Sequence, residues 1–306
     1  MTRELLTIPV TSPFDYRSAL NAHGWVDLLP NIHDPSVPSF SRVEAVPSGK
    51  VVHIMVSAEG AGRDQRINVS VIAPGRISTA DRQYLVSAVS HMLRLDEDFS
   101  EFYALCASRG GIWNKLAGGI GRLLRSPTVF EDLVKVICTT NVQWGGTKRM
   151  VRELVEVFGL PLDADPDQRS FPSPSAIARY SFDDFRQKVR LGYRADYIYR
   201  LASQFADGEL SGSDFQDSEI PAEDIRRKLL ALKGIGSYAA ASMLMLLGRY
   251  DHIPVDTVFR QFMSEKYSID VSERLPEALA VYEDWGKWKH LAYWFDMINF
   301  ESPAGS

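Results

Sequence analysis

The stretch "LKGIGSYAAA" (232–241) is the feature that most limits how this chain can fold. It places Gly234 and Gly236 between a leucine-rich helical run and an alanine-rich one, which is too tight for an ordinary loop. Because glycine adopts positive φ without a Cβ clash, this spacing predicts two helices joined by a sharp hairpin. The second helix would present free N–H groups, which suit a phosphate. A plain tight turn between two helices has the same pattern, so a functional interpretation needs a second feature.

The rest of the chain changes its hydrophobic pattern near Ser78. Before it, "KVVHIMVSAEG" (50–60) and "QRINVSVIAPG" (65–75) carry β-branched residues in partial alternation and end in glycine turns, which predicts neighbouring antiparallel strands. After it, apolar residues recur at spacings of three and four, which predicts helices. The predicted fold class is α+β, mostly α, with an N-terminal antiparallel β domain followed by a two-part all-α core that contains the hairpin.

The change of pattern and the helix signals predict three parts. The predicted domains are an antiparallel β domain at 1–77, a helical domain at 78–123 plus 264–306, and a helical barrel domain at 124–263 with the hairpin at about 226–247.

Composition excludes several classes of protein. Of the 306 residues, 45% are hydrophobic and 24% charged, which is typical of a globular protein. Two cysteines, Cys106 and Cys138, are too few for a disulfide framework, a four-cysteine zinc site or a cysteine-ligated iron–sulfur cluster. The six histidines show no zinc-binding spacing. We therefore expect no cofactor and, without an apolar span or signal peptide, a cytoplasmic, nucleoid-associated protein, or a nuclear one in a eukaryote.

The net charge of −5 argues against nucleic acid as a partner, but the charges are unevenly distributed. The segment 186–200 carries five basic residues against one acid, Asp196. A basic helical segment in an acidic protein can bind a phosphate backbone locally. The alternative is a helix face that is only solvated.

An aspartate provides the second feature. Asp256 precedes a helical run within "PVDTVFRQF" (254–262) and follows Tyr238 by 18 residues. An aspartate at this position is typical of a helix N-cap. A carboxylate can also stabilise positive charge that develops in a reaction, and both roles remain open for Asp256.

Together, the hairpin and "PVDTVFRQF" resemble the helix-hairpin-helix (HhH-GPD) DNA glycosylase superfamily, and the similarity covers at least residues 124–262. "LRSP" (124–127) followed by "ICTTN" (137–141), and "LGYRADY" (191–197), are similar to the branch of 8-oxoguanine glycosylase and AlkA-type 3-methyladenine DNA glycosylase. The strand-rich N-terminal part fits this branch. The missing cysteine quartet argues against endonuclease III and MutY.

The resemblance implies roles for individual residues. Asp256 matches the catalytic aspartate, Asn141 faces the space left by a flipped base, and Tyr193 with Arg194 wedges into the duplex. The full set of implied DNA contacts is Asn141, Tyr193, Arg194, Lys233, Gly234, Gly236 and Ser237. A structural Na⁺ or K⁺ is implied at the main-chain carbonyls of Leu230, Leu232 and Ile235. The implied partner is double-stranded DNA that contains a damaged or modified base, bound by a monomer.

Two departures from the family pattern bear on the chemistry. Bifunctional members have a lysine two residues after the second hairpin glycine, where this chain has Tyr238, so strand cleavage is not expected. "EDWGKWKHLAYWFDM" (283–297) resembles the segment from which 8-oxoguanine glycosylase contacts the base, but Tyr293 and Met297 replace its glutamine and phenylalanine. The predicted base pocket consists of Tyr238, Trp144, Trp288, Tyr293 and Met297, which favours an alkylated purine.

The predicted function is that of a monofunctional DNA glycosylase in base excision repair. It would flip the base, hydrolyse its N-glycosidic bond and leave an abasic site uncut. The alternatives are a non-catalytic helix-hairpin-helix DNA-binding protein, and a glycosylase for 8-oxoguanine or for a naturally modified base. Selectivity depends on the shape of the pocket, so the sequence leaves these alternatives open.

Overall fold

The computed structural model describes residues 1–301, with all of their side chains except those of Arg63, Phe300 and Glu301. The strands are β1 Thr2–Pro9, β2 Ile32–His33, β3 Ser39–Ala45, β4 Val51–Glu59, β5 Arg66–Ala73, β6 Pro161–Leu162 and β7 Asp165–Arg169. The first nine helices are α1 Tyr16–Asn21, α2 Thr79–Met92, α3 Ser100–Arg109, α4 Trp113–Leu116, α5 Val129–Thr139, α6 Trp144–Phe158, α7 Pro174–Ala178, α8 Phe182–Lys188 and α9 Arg194–Ala206. They are followed by α10 Ser213–Gln216, α11 Ala222–Ala231, α12 Ser237–Leu246, α13 Thr257–Tyr267, α14 Leu275–Ala280 and α15 Lys289–Glu301. This order confirms the predicted α+β class.

Residue contacts divide the chain into two compact units. The first unit comprises residues 1–100 and 118–212, and the second comprises 101–117 and the chain from 213 onward. The three-part domain division stays a prediction, since these units follow different boundaries. Residues 302–306, which that division includes, lie outside the described part of the chain. None of the described helices has the length and apolarity needed to cross a membrane.

The first unit contains a five-stranded sheet with the order β1-β5-β4-β3-β2, in which all neighbours are antiparallel. β4 and β5, the two strands singled out in the sequence, pair with Ile54 opposite Val71 and Val56 opposite Val69. These four side chains are buried, whereas the intervening Met55 is 45% exposed. Since side chains alternate between the two faces of a strand, one face of the sheet faces the core.

The helix α5 lies in the core of the first unit. Thr128 caps it by accepting the Glu131 N–H (3.2 Å), and ten of its eleven residues are buried. Its neighbours in this unit include α6 and α9. Because α5 is buried on nearly all sides, its polar residues Glu131, Asp132 and Lys135 need partners inside the protein.

The second unit contains the predicted hairpin, formed by α11 and α12. After it, Asp256 begins α13 as the N-cap, and α15 follows a kinked 3₁₀ segment at Glu283–Trp288. An aromatic core supports these helices. Trp288 stacks on Tyr250 with ring centroids 5.4 Å apart.

Candidate functional site

The hairpin turn uses its two glycines differently. Gly234 has φ +93°, a left-handed conformation that favours glycine. Gly236 has φ −90° and ψ −174°, which any residue can adopt, so the expectation of positive φ at both glycines is wrong for Gly236. A Cβ on Gly236 would meet no atom within 4 Å. The chain's own packing therefore does not require glycine there, and the space above this backbone is open to a ligand.

The N-terminus of α12 follows this open space. Gly236 is its N-cap and no side chain caps the helix, so its first N–H groups are directed outward without an intrahelical acceptor. Ser237 and Lys233 are exposed on either side of the turn. Free helix N–H groups beside exposed polar side chains are suited to a phosphate oxygen.

The main-chain carbonyls expected to bind a monovalent cation lie in the same turn. Leu232 accepts one hydrogen bond from the Ile235 N–H (3.1 Å). A carbonyl oxygen carries two lone pairs, so a single hydrogen bond does not use up its capacity to accept. The Leu232 oxygen therefore keeps a lone pair available, and carbonyl oxygens suit a hard cation. Within residues 1–301, no cluster of three or more His, Cys, Asp or Glu side chains offers another metal site.

Asp256 lies at the N-terminus of α13. Its Oδ1 accepts the Phe259 N–H at 2.8 Å, which fixes the rotamer of the carboxylate. Its Oδ2 has no hydrogen-bond partner among the described residues. The side chain is half-buried. One oxygen therefore caps the helix, while the other remains available to a ligand.

Tyr238 is the second residue of α12 and lies near Asp256. Its side chain is 45% exposed. Burial of part of the ring and the neighbouring Asp256 carboxylate both raise the pKa of the Tyr238 phenol. One turn later Ser242, which the sequence analysis missed, donates from Oγ to the Tyr238 carbonyl (3.1 Å). Its four-residue spacing from Tyr238 was the available signal, since such residues share a helix face.

Of the predicted base-pocket residues, Trp288, Tyr293 and Met297 lie in the core of the second unit. They are 3%, 2% and 7% exposed. The Tyr293 hydroxyl lies 3.4 Å from the Met297 Sδ, and its ring packs edge-on against Phe259, at 5.2 Å between centroids. These core contacts support the start of α13, and the assignment of the three residues to the base pocket stays a prediction.

A pocket of about 360 Å³ lies beside α12. It is lined by Arg226, Ser237, Ala241, Asp251, His252, Ile253, Pro254, Val255, Leu279, Glu283 and Lys289. Its charged residues are paired, with Lys289 2.9 Å from Glu283 and His252 3.0 Å from Glu223. Pro254 and Val255, which directly precede Asp256, line this pocket, whereas Asp256 and Tyr238 do not.

In the first unit, Asn141 and Tyr193 are exposed, as a DNA contact requires. Asn141 directly follows the C-cap of α5 and has φ +48°. Tyr193 is 51% exposed. Its neighbour Arg194 is only 7% exposed and donates to the carbonyls of Thr140 and Asn141. Its guanidinium lies against the protein's own backbone, and the wedge role of Arg194 stays a prediction.

Trp144 is 37% exposed at the first position of α6. Its indole lies against Gly24, where a Cβ would approach the Trp144 Cζ2 to 2.9 Å. Val142, which the sequence analysis missed, is also 37% exposed in the same loop. The loop between α5 and α6 thus presents apolar side chains to a ligand. Its apolar residues are too few to produce a periodic signal in the sequence.

Residues 134–284, about half of the chain, match the family model described as HhH-GPD superfamily base excision DNA repair protein. The match includes the hairpin and Asp256. The chain belongs to the HhH-GPD superfamily. Within this superfamily, a Bacillus subtilis (strain 168) protein provisionally described as a DNA-3-methyladenine glycosylase is 24% identical over 160 residues. That alignment covers 52% of this chain and 54% of the relative, so the chain spans about half the length of that relative.

Two solved structures share the HhH-GPD fold over nearly the whole chain. A 3-methyladenine DNA glycosylase from Archaeoglobus fulgidus superposes with a TM-score of 0.72 at 17% identity, covering 97% of this chain and 98% of that one. An 8-oxoguanine glycosylase/lyase from Clostridium acetobutylicum gives a TM-score of 0.67 at 18% identity, with 97% of both chains covered. At these identities the similarity establishes the fold alone.

Proposed function

We propose that this chain is a monofunctional DNA glycosylase that hydrolyses the N-glycosidic bond of a damaged base, with an alkylated purine favoured, and leaves an abasic site. The proposal rests on the geometry of Asp256. Its Oδ1 caps a helix, and its Oδ2 remains available beside Tyr238. Membership of a base excision DNA repair superfamily supports it.

Asp256 is proposed as the catalytic residue. Cleavage of the bond between base and sugar develops oxocarbenium character on the sugar, which a fixed carboxylate stabilises. Because Oδ1 is held by the Phe259 N–H, Oδ2 need not reorganise as positive charge develops. The same oxygen can orient the water that completes hydrolysis.

Tyr238 supports both the chemistry and the substrate class. Its raised phenol pKa keeps the side chain neutral, and it has no amine with which to form a Schiff base to the sugar. A half-exposed phenol offers a stacking face to an electron-poor, positively charged alkylated base. We propose Trp144 as a further aromatic contact, since it is exposed.

DNA binding is proposed to use the hairpin, through the open space at Gly236 and the uncapped start of α12. The carbonyls of Leu230, Leu232 and Ile235 would hold Na⁺ or K⁺, which brings positive charge to the phosphate. Such backbone contacts offset the cost of extruding the base, which is a few kcal/mol.

The test incubates the protein with duplexes that contain one alkylated adenine, hypoxanthine, 8-oxoguanine or modified cytosine, with and without alkali. We expect alkali-dependent cleavage at the alkylated purine, and at least a ~100-fold loss in Asp256→Asn. The matched control is Asp15→Asn, because Asp15 also caps a helix, accepting the Ser18 N–H at 2.8 Å. Asparagine is an equally good N-cap, so both variants keep the helix cap and only Asp256→Asn should lose activity.

A second experiment tests the absence of lyase activity. Borohydride should trap no covalent complex between the wild-type protein and DNA, whereas Tyr238→Lys supplies an amine and should trap one. Cleavage without alkali by the wild type would contradict monofunctional chemistry. Tight binding without excision would support the non-catalytic alternative, and excision of 8-oxoguanine or the modified cytosine would replace the proposed substrate.

A further inference from the structure

We propose that Arg194 is a positioning residue that fixes the loop after α5, so that Asn141 and Tyr193 face the DNA while Arg194 itself does not contact it. The inference rests on the proposed function, because it assigns the residues that occupy the gap left by the extruded base. It separates the roles of two adjacent residues, Tyr193 and Arg194.

Arg194 acts on the C-terminal end of α5. The last carbonyls of a helix lack intrahelical donors, and the helix dipole makes this end negative. Arg194 donates from Nη2 to the carbonyl of Thr140, the C-cap residue, and is 3.4 Å from the carbonyl of Asn141. With 7% exposure, the guanidinium is largely shielded from solvent. A buried positive charge thus stabilises the end of α5 from another helix, α9.

The capped residue Asn141 has a backbone conformation that needs support. Its φ of +48° is left-handed, which is uncommon for a residue with a Cβ, although asparagine tolerates it better than most. Among the described residues other than glycine, only Arg94 and Ser268 also have positive φ. Arg194 holds the carbonyls on both sides of the Asn141 Cα, and this contact restrains the loop in that conformation.

Arg194 also supports Tyr193. Its guanidinium carbon is 4.5 Å from the centroid of the Tyr193 ring, within the range of a cation–π contact. The neighbouring Asn141 side chain is the largest cause of the lowered pKa of the Tyr193 phenol, so the two exposed side chains lie near each other. On its other side, Tyr193 meets Tyr197 edge-on at 5.7 Å. Tyr193 is therefore held in place while half of its surface remains exposed.

These contacts imply a measurable difference from a DNA-contacting arginine. An arginine bound to phosphate releases counterions, so its removal lowers the salt dependence of DNA binding by about one charge. Arg194 is already engaged with backbone carbonyls, so its removal should leave that dependence unchanged. It should instead loosen the loop and misplace the reacting groups.

The first arm of the test uses the free protein. Hydrogen exchange of the backbone amides at 139–144 is compared in the wild type, Arg194→Met, Arg194→Lys and Arg190→Met. Arg190 is an exposed arginine four residues earlier, so Arg190→Met removes the same charge without touching the loop. We expect faster exchange at 139–144 in Arg194→Met, partial restoration in Arg194→Lys, which keeps a donor, and no change in Arg190→Met.

The second arm measures single-turnover excision and the salt dependence of DNA affinity for the same variants. Arg194→Met should slow excision roughly 10- to 100-fold with an unchanged salt slope, and Arg194→Lys should recover part of the rate. If Arg194→Met does not fold, Arg194→Lys is compared with the wild type instead. A smaller salt dependence of DNA affinity in Arg194→Met, with unchanged amide exchange at 139–144, would contradict the positioning role. If the wild type excises no base, the proposed function fails, and unchanged exchange in Arg194→Met would separately refute the inferred loop contact.

Discussion

The cores of the two units bury polar groups in different ways. In the first unit, full charges are paired: Glu131, 2% exposed, lies 3.0 Å from Arg42 and 2.6 Å from Lys135, and both partners are buried. In the second unit, Asp296, 3% exposed, accepts hydrogen bonds from the hydroxyls of two tyrosines and from one lysine; these residues are Tyr267, Tyr282 and Lys266.

This difference shows how strongly the buried partners of Glu131 and of Asp296 depend on the charge of the carboxylate. Although burial alone would raise the pKa of Glu131, Arg42 and Lys135 lower it below its usual value. Removing the charge of Glu131 would take from the buried Lys135 its ion-pair partner and leave the buried Arg42 with Glu44 alone. In the second unit, burial first and Asp296 second raise the pKa of Tyr282, so this partner stays neutral. Neutral donors tolerate the loss of the charge on Asp296 better than buried cations tolerate the loss of Glu131.

Each core supports one of the candidate functional segments. Glu131 and Lys135 lie on α5, whose end leads to Asn141. In the second unit Tyr293, on the same helix as Asp296, packs against Phe259, whose N–H fixes Asp256. Damage to either core should therefore reduce both stability and the proposed activity.

The largest effect is expected for Glu131→Gln. The substitution keeps the shape of the side chain but leaves Arg42 and Lys135 buried beside a neutral amide, at a cost of about 3–5 kcal/mol in the free energy of unfolding. The free energy of unfolding is measured by denaturant titration followed by circular dichroism.

The matched control is Glu277→Gln. Glu277 pairs with Arg274 on the surface, where the two side chains are 52% and 47% exposed, so the loss should stay below about 0.5 kcal/mol. Equal losses of unfolding free energy in Glu131→Gln and Glu277→Gln would show that the buried ion pairs stabilise the fold no more than a surface pair does.

A smaller loss is expected for Asp296→Asn. Asparagine still accepts hydrogen bonds from the tyrosine hydroxyls, and Lys266, whose side chain is 26% exposed, can turn toward water. The cost should be about 2 kcal/mol, less than for Glu131→Gln, by the same titration. A larger cost than in Glu131→Gln would reverse the comparison between the two cores.

The smallest effect is a pH dependence that both units share. Burial lowers the pKa of His290 from 6.5 to about 3, and His23, whose ring nitrogens are buried near Arg94 and Lys135, shifts to a similar value. Because the folded pKa is depressed, the contribution is fully present above pH 6.5 and declines as pH falls toward 3. At pH 5.5 each histidine should lower the free energy of unfolding by about 1 kcal/mol relative to its value above pH 6.5.

Two substitutions test this dependence separately in each unit. His290→Gln keeps a hydrogen-bond donor, and His23→Phe keeps the stack on Trp25, where the ring centroids are 5.0 Å apart. Each should reduce the loss of stability between pH 7.5 and 5.5 by about 1 kcal/mol. An unchanged loss in both variants would show that these histidines do not titrate with folding.

Local sequence was sufficient for the elements of the candidate site. Alternation predicted β4 and β5, the Gly-x-Gly spacing predicted the hairpin, and the position of Asp256 predicted a helix cap. These features depend on neighbours a few residues apart, which the sequence displays directly. The burial of Trp288, Tyr293 and Met297 could not be predicted, because apolar residues at helical spacing suit a core and a pocket equally well.

The sequence by itself determined β4 and β5, the mostly helical character of the chain after Ser78, the hairpin, and the positions of Asp256 and Tyr238 at the starts of helices. Only the tertiary structure decided which of two adjacent residues faces outward: Tyr193 is exposed, while Arg194 reaches the end of α5, more than 50 residues earlier in the chain. The physical reason is that the free carbonyls at the end of a buried helix attract a cation from any segment the fold brings close. Spacing along one segment carries no information about such a partner.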